Sequence, residues 1–164
     1  MAMNEDPYAS LIPGVGDWAG DAANWLAMFG SYELCIAFTN LLWPEFVVHN
    51  ECIFRGPFDE VAERNYNTFR NATDFDPFTT EVTMNALLIL DLFPNDRNGA
   101  SREQILFIGR KLKAMWQAKL LLDFPHRRTL VSFPEDWADD LREYEITFWQ
   151  EPPAQASISS ETHA

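Results

Sequence analysis

Lysine and arginine are absent from the first 54 residues, and the other charges fall into blocks around that gap. Seven acids lie in the gap (Glu5, Asp6, Asp17, Asp21, Glu33, Glu45 and Glu51). Export and organelle-targeting leaders need basic residues near their start, so a cytoplasmic protein is expected. Long apolar runs are lacking too. Leu34–Phe38 and Leu41–Trp43 are split by Thr39 and Asn40 and stopped by Pro44, well short of the roughly 20 residues of a membrane span.

Cysteine is scarce, with Cys35 and Cys52 alone, which suits a reducing compartment. These thiols, with His49 and His126, show none of the close spacing, such as C-x2-C, that pre-orients zinc ligands. His49-Asn50-Glu51 matches the H-x-E start of zinc deaminases, but the P-C-x-x-C that completes such a site is missing. Glycine is also sparse. Gly14, Gly16 and Gly20 have the wrong spacing for a phosphate loop, and Asp17 puts a negative charge where phosphate would sit. No metal and no cofactor are therefore expected.

What is present is acid, aromatic rings and one basic segment. The net charge is −13, yet residues 98–128 hold seven bases against two acids. Nucleic acid is an unfavourable partner, because its binding starts from clustered cations that release counterions. A basic protein is a favourable one, since opposite fields speed encounter. The chain has 13 Phe, 6 Trp and 4 Tyr, enough large rings to build a core without disulfides.

Period and punctuation predict an α+β domain, mainly helical with four to five helices and a small antiparallel three-stranded sheet. Residues 1–13 read as a flexible arm, 14–150 as one globular domain and 151–164 as a disordered tail. Helices are expected from Asp17 to Gly30, from Ser31 to Trp43, over about 59–71, from Asp76-Pro77 to about Phe93, and from the capping box at Ser101 and Gln104 to about Leu122. Strands are expected at 46–54, 128–133 and 143–149. The longest helix shows apolar residues on two sides, Ile105, Leu112 and Trp116 on one and Phe107, Ala114, Ala118 and Leu121 on the other, and is expected to be buried mid-domain. Lys119, lying among them, is expected to reach past the last turn or to pair with a carboxylate such as Glu81.

Three groups of residues are candidates for function. On an unbroken strand, His49 and Glu51 leave the same face, where a carboxylate can orient an imidazole as a base; no third orienting group accompanies them. Arg102, Arg110, Lys113, Arg127 and Arg128 offer a cationic stripe for an anion, or for the chain's own acidic segment. That segment, Glu135, Asp136, Trp137, Asp139 and Asp140, places an aromatic among acids, the composition of a hot spot for a basic surface. The favoured expectation is an acidic protein-binding module, an inhibitor or immunity-type protein directed at a basic partner, rather than an enzyme. The alternatives are a small-ligand binder or enzyme with a helix–sheet pocket using His49, Glu51 and the basic stripe, and a homo-oligomer built on the second face of the long helix.

Overall fold

The computed structural model of the chain describes residue 11 and residues 22–72, 74–94, 99–134, 136 and 139–151. Among the described residues five α-helices and five short strands make an α+β fold in the order α1 (Ala22–Phe29), α2 (Tyr32–Leu42), β1 (Phe46–His49), β2 (Cys52–Arg55), α3 (Glu60–Arg70), α4 (Pro77–Met84), β3 (Leu87–Leu88), α5 (Arg102–Asp123), β4 (Thr129–Ser132) and β5 (Glu145–Gln150). All strand pairs are antiparallel. They form two sheets rather than one: β1 and β2 are a separate hairpin, and the three-stranded sheet runs β3-β5-β4.

Local chemistry sets the helix starts. The Ser31 hydroxyl accepts from the Leu34 amide, and Asp59 accepts from the Val61 and Ala62 amides. Asp76 caps α4, with Pro77 at its first turn. Ser101 and Gln104 form the reciprocal capping box. The expected start of the first helix at Asp17, the arm at 1–13 (apart from Leu11) and the tail beyond Glu151 lie outside the described residues.

Two expected elements differ. The helix expected from Pro77 to about Phe93 stops at Met84, and Leu87–Leu88 forms the edge strand that pairs with Ile146 and Glu145. The cause is Asn85, whose side chain is drawn onto the backbones of β2 and β5. The expected strand at 46–54 is interrupted by a two-residue turn at Asn50-Glu51, with φ of 46° and 73°. Positive φ at both central residues is the type I′ geometry that matches strand twist.

The core lies between α5 and the sheets. Ile105, Leu112, Trp116 and Leu120 recur at near-helical spacing along α5 and meet Phe46, Ile53, Ile146 and Phe148. Trp116 sets its ring edge-on to Phe148, with centroids 6.1 Å apart, and donates its indole N–H to the Leu41 carbonyl at 2.9 Å. Burying each such large side chain contributes about 1.5–3 kcal/mol. The opposite face of β5 meets α4, where the Thr147 hydroxyl donates to the Val82 carbonyl. A second cluster gathers Cys52, Phe54 and Tyr66, with Phe58 and Met84 packed against it.

The long helix is buried on one side only. Leu121 and Leu122 are exposed, as are Ala114 and Ala118, so the second apolar face is a surface. Lys119 pairs with Asp123 one turn on, and not with Glu81. Gly109 is needed where α5 crosses the end of β4: a Cβ there would lie 2.0 Å from the Phe133 ring.

Candidate functional site

The edges of the two sheets are joined by side chains instead of a strand. Glu81 on α4 and Asn85, the residue that caps its C-terminus one turn later, are both fully buried, Glu81 with 1% of its surface exposed. Glu81 Oε1 accepts from the Ile53 amide at 2.6 Å and from Gln150 Nε2 at 2.5 Å, while Oε2 accepts from the Gln150 amide at 2.7 Å. Asn85 Nδ2 donates to the carbonyls of Ile53 and Phe148, and Oδ1 accepts from the Arg55 amide. Each of these backbone groups faces away from its own hairpin partner and would otherwise be an unpaired sheet edge. Gln117 does the same for β4, donating to the Thr129 carbonyl and accepting from the Val131 amide.

This splice fixes a polar chain that reaches the surface. The Glu51 carbonyl accepts from Arg127 Nη1 at 2.9 Å and from Gln150 Nε2 at 2.8 Å, and Arg127 Nη1 also donates to Gln150 Oε1. A non-glycine residue held at positive φ costs about 1–2 kcal/mol. Here the three-way grip on the turn offsets that cost. Just beneath, burial pushes the Cys52 thiol up to about 11, reinforced by the charges of Glu81 and Glu51.

Beside the turn opens a cleft of about 1290 Å³, bounded by the β1–β2 turn, the end of α3, the start of α4 and the end of β5. Its apolar wall is Phe75, Pro77 and Phe78, with 36% of Phe75 and 46% of Phe78 exposed. The rings are held from behind, Phe75 edge-on to Tyr66 at 6.2 Å and Phe78 edge-on to Trp149 at 5.6 Å. Asp76 is occupied as the α4 cap, and hydrogen bonds from the Thr79 hydroxyl and amide hold its carboxyl below the usual carboxylate range. Glu151 is paired with Arg128 at 2.8 Å. Glu51 is exposed, and its carboxylate makes no hydrogen bond or ion pair with the described residues.

His49 is not part of that cleft. The turn removes it from the face of Glu51, and its ring stacks on Phe58 at 4.5 Å and meets Tyr66 edge-on, with Nε2 hydrogen-bonded to Asn50 Nδ2. The structure therefore does not bring His49 and Glu51 together as an acid–base pair. The five cations are not gathered either. Arg102 stands at the start of α5 and Arg127 and Arg128 beyond its end, about 33 Å away along the 22-residue helix. Arg102 donates to the Asp139 carbonyl, Arg128 pairs with Glu151, and Arg110 and Lys113 lie on α5 between them.

In the acidic segment, Glu135 and Trp137 lie outside the described residues. Asp136 contributes its carbonyl to the Tyr144 hydroxyl, and Asp140 caps a 3-10 turn while forking onto Arg142 at 2.7–3.1 Å. That fork holds the Asp140 carboxyl below its ordinary range.

The apolar surface of α1 and α2 had no counterpart among the sequence candidates. No residue of α2 is buried, although eight of its eleven residues are apolar. Tyr32 is 88% exposed and Ile36 62%, and Met28 and Phe29 at the end of α1 stand equally open. The helix is held mainly by its last turn, through Leu41, Leu42 and the Trp116 hydrogen bond. The all-round apolar pattern was the available signal, but it reads equally as a core helix.

Among the described residues no helix is long and apolar enough to cross a membrane, and no group of three or more His, Cys, Asp or Glu side chains is placed to hold a metal ion. No protein-family model matches the chain, and no curated protein or solved structure shows significant similarity to it.

Proposed function

We propose that the chain is a protein-binding module whose exposed α2 face docks a partner with an apolar patch and a basic rim. The observation that carries this reading is α2 itself, an apolar helix with no buried residue. Contiguous apolar surface of that kind marks an interaction site in a folded protein. Its rim supplies the sign of the partner: between Ala22 and Asn50 the charged side chains are Glu33 and Glu45, with no lysine or arginine. A second copy docked face to face would set these carboxylates against each other, while Lys119, which lies over the Trp43 ring beside this face, is already paired with Asp123. A basic partner neutralises both carboxylates while covering the apolar centre, and opposite charge raises its rate of encounter. The loop at Asp139 and Asp140 is a weaker candidate, because the Asp139 carbonyl and the Asp140 carboxylate are already engaged within the chain.

The test is affinity capture from the native cell extract with the intact chain and with a Tyr32→Asp/Ile36→Asp variant, at low and moderate salt. Both positions are exposed, so the variant should keep the wild-type helical signal and Tm. A basic protein held by the wild type, released by salt and lost by the variant is the expected result. Equal capture by both proteins overturns the assignment of the face. Wild-type self-association that the variant abolishes makes the face a homo-oligomer interface and overturns the reading of a basic partner.

A further inference from the structure

We propose that the cleft between the β1–β2 turn and the start of α4 receives an arginine side chain presented by a peptide ligand. The site has three parts, each fixed independently. Phe75 and Phe78 present partly exposed rings, and each is pinned by a T-shaped aromatic contact, to Tyr66 and to Trp149. Glu51 supplies an exposed carboxylate that makes no hydrogen bond or ion pair with the described residues, Arg127 being bound to its backbone carbonyl. The turn that carries it is locked through its own carbonyl by Arg127 and Gln150, so the carboxylate is presented from a rigid base.

Glu51 is itself the unexpected residue. At φ 73° the second position of this turn favours glycine, and the two hydrogen bonds that lock the turn use only the backbone carbonyl. The turn therefore explains neither the side chain nor its charge. A ligand cation does.

The remaining charges of the cleft agree. Asp76 is bound to Thr79 and Glu151 to Arg128, and Glu81 spends both oxygens on the sheet splice. The two cleft cations hydrogen-bond other acceptors and not the Glu51 carboxylate: Arg127 donates to the Glu51 backbone carbonyl and to Gln150, and Arg70 Nη1 lies 3.4 Å from the Tyr66 hydroxyl. Four carboxylates against two guanidiniums leave the lining net negative. A planar guanidinium stacks on a ring face and forks onto a carboxylate at once, which an ammonium does less well. The cleft shares a preference for cations with the face proposed above but none of its residues, so either proposal can fail alone.

The experiment is an NMR titration of the full-length chain with N-acetyl-arginine amide and with N-acetyl-citrulline amide, which has nearly the same shape without the charge. The arginine probe is expected to shift the amides of Asn50, Glu51, Phe75 and Phe78, with binding about tenfold tighter than the citrulline probe, the worth of one exposed ion pair and a cation–π contact. Glu51→Gly should weaken arginine binding by about threefold, the share of the ion pair, with the cation–π share retained, while its Tm is at least that of the wild type, since glycine accepts the backbone conformation. The Tyr32→Asp/Ile36→Asp variant should bind the probe as the wild type does. Equal affinity for the two probes, undiminished arginine binding by Glu51→Gly, or shifts confined to residues outside the cleft would each overturn the proposal.

Discussion

Replacing Glu81 by glutamine tests whether one carboxylate holds the two sheets together. The substitution keeps shape and volume but exchanges an acceptor oxygen for an NH2 group. Glu81 receives three N–H donors, two on Oε1 and one on Oε2. In the better orientation of a glutamine amide, its oxygen keeps Ile53 and the Gln150 side chain, and the new NH2 faces the Gln150 amide. One charge-assisted hydrogen bond is lost, about 1.5–3 kcal/mol, and a buried donor is left unpaired, about 1–3 kcal/mol more. The other orientation loses two bonds and is worse. A destabilisation of roughly 3–5 kcal/mol follows, a large part of the 5–15 kcal/mol that holds such a domain. At about 2–4 °C per kcal/mol for a chain of this length, Tm should fall by on the order of 10 °C. Denaturant unfolding followed by tryptophan fluorescence measures the free energy, and hydrogen exchange should accelerate at the Ile53 and Gln150 amides first. A loss below about 0.5 kcal/mol, the scale of an ordinary surface substitution, would refute the splice.

Gly109→Ala should destabilise by about 1–3 kcal/mol although alanine is the better helix former, because its Cβ meets the buried Phe133 ring; a raised unfolding midpoint would contradict that packing. Asp76 has a folded pKa below its unfolded value, so its contribution is present above the unfolded value of 3.8 and is lost as pH falls through the folded one. Asp76→Ala should therefore flatten the acid limb of the stability–pH profile below about pH 5, and an unchanged limb would show that the cap does not titrate with folding. Native protein should expose one thiol to a disulfide reagent at neutral pH, the exposed Cys35, with Cys52 reacting only on unfolding. The raised Cys52 value also predicts stability that is complete below the unfolded value of 9.0 and declines as pH rises toward about 11, which a Cys52→Ala variant should lack.

Features encoded within one turn were legible in the residues. Ser31, Asp59, Asp76 and Ser101 each cap the helix they were expected to start, because a cap joins a side chain to amides two or three positions away. The strand at 145–150 was legible for a similar reason, although Thr147 breaks its alternation by burying a hydroxyl against α4. The hairpin at 46–55 was not. Asn50-Glu51 lacks the glycine that signals a two-residue turn, and the groups that lock it stand 76 and 99 positions away, at Arg127 and Gln150. His49 and Glu51 share a face only on an unbroken strand, and the turn at Asn50-Glu51 interrupts that strand.

Composition and local order alone determined the acidic charge with its cation-free N-terminal third, the starts of the four helices capped by Ser31, Asp59, Asp76 and Ser101, and the α+β class, because these depend on side-chain identity and on neighbours within a few residues. The tertiary structure decided which apolar residues remain outside, and it built the cleft. Burial depends on what lies opposite: Leu112 and Leu121 look alike in sequence, but one faces the sheets and the other faces water. Glu81 could pass for a surface carboxylate until three amide donors from Ile53 and Gln150 surround it, and those donors converge only when both sheets have closed on α4.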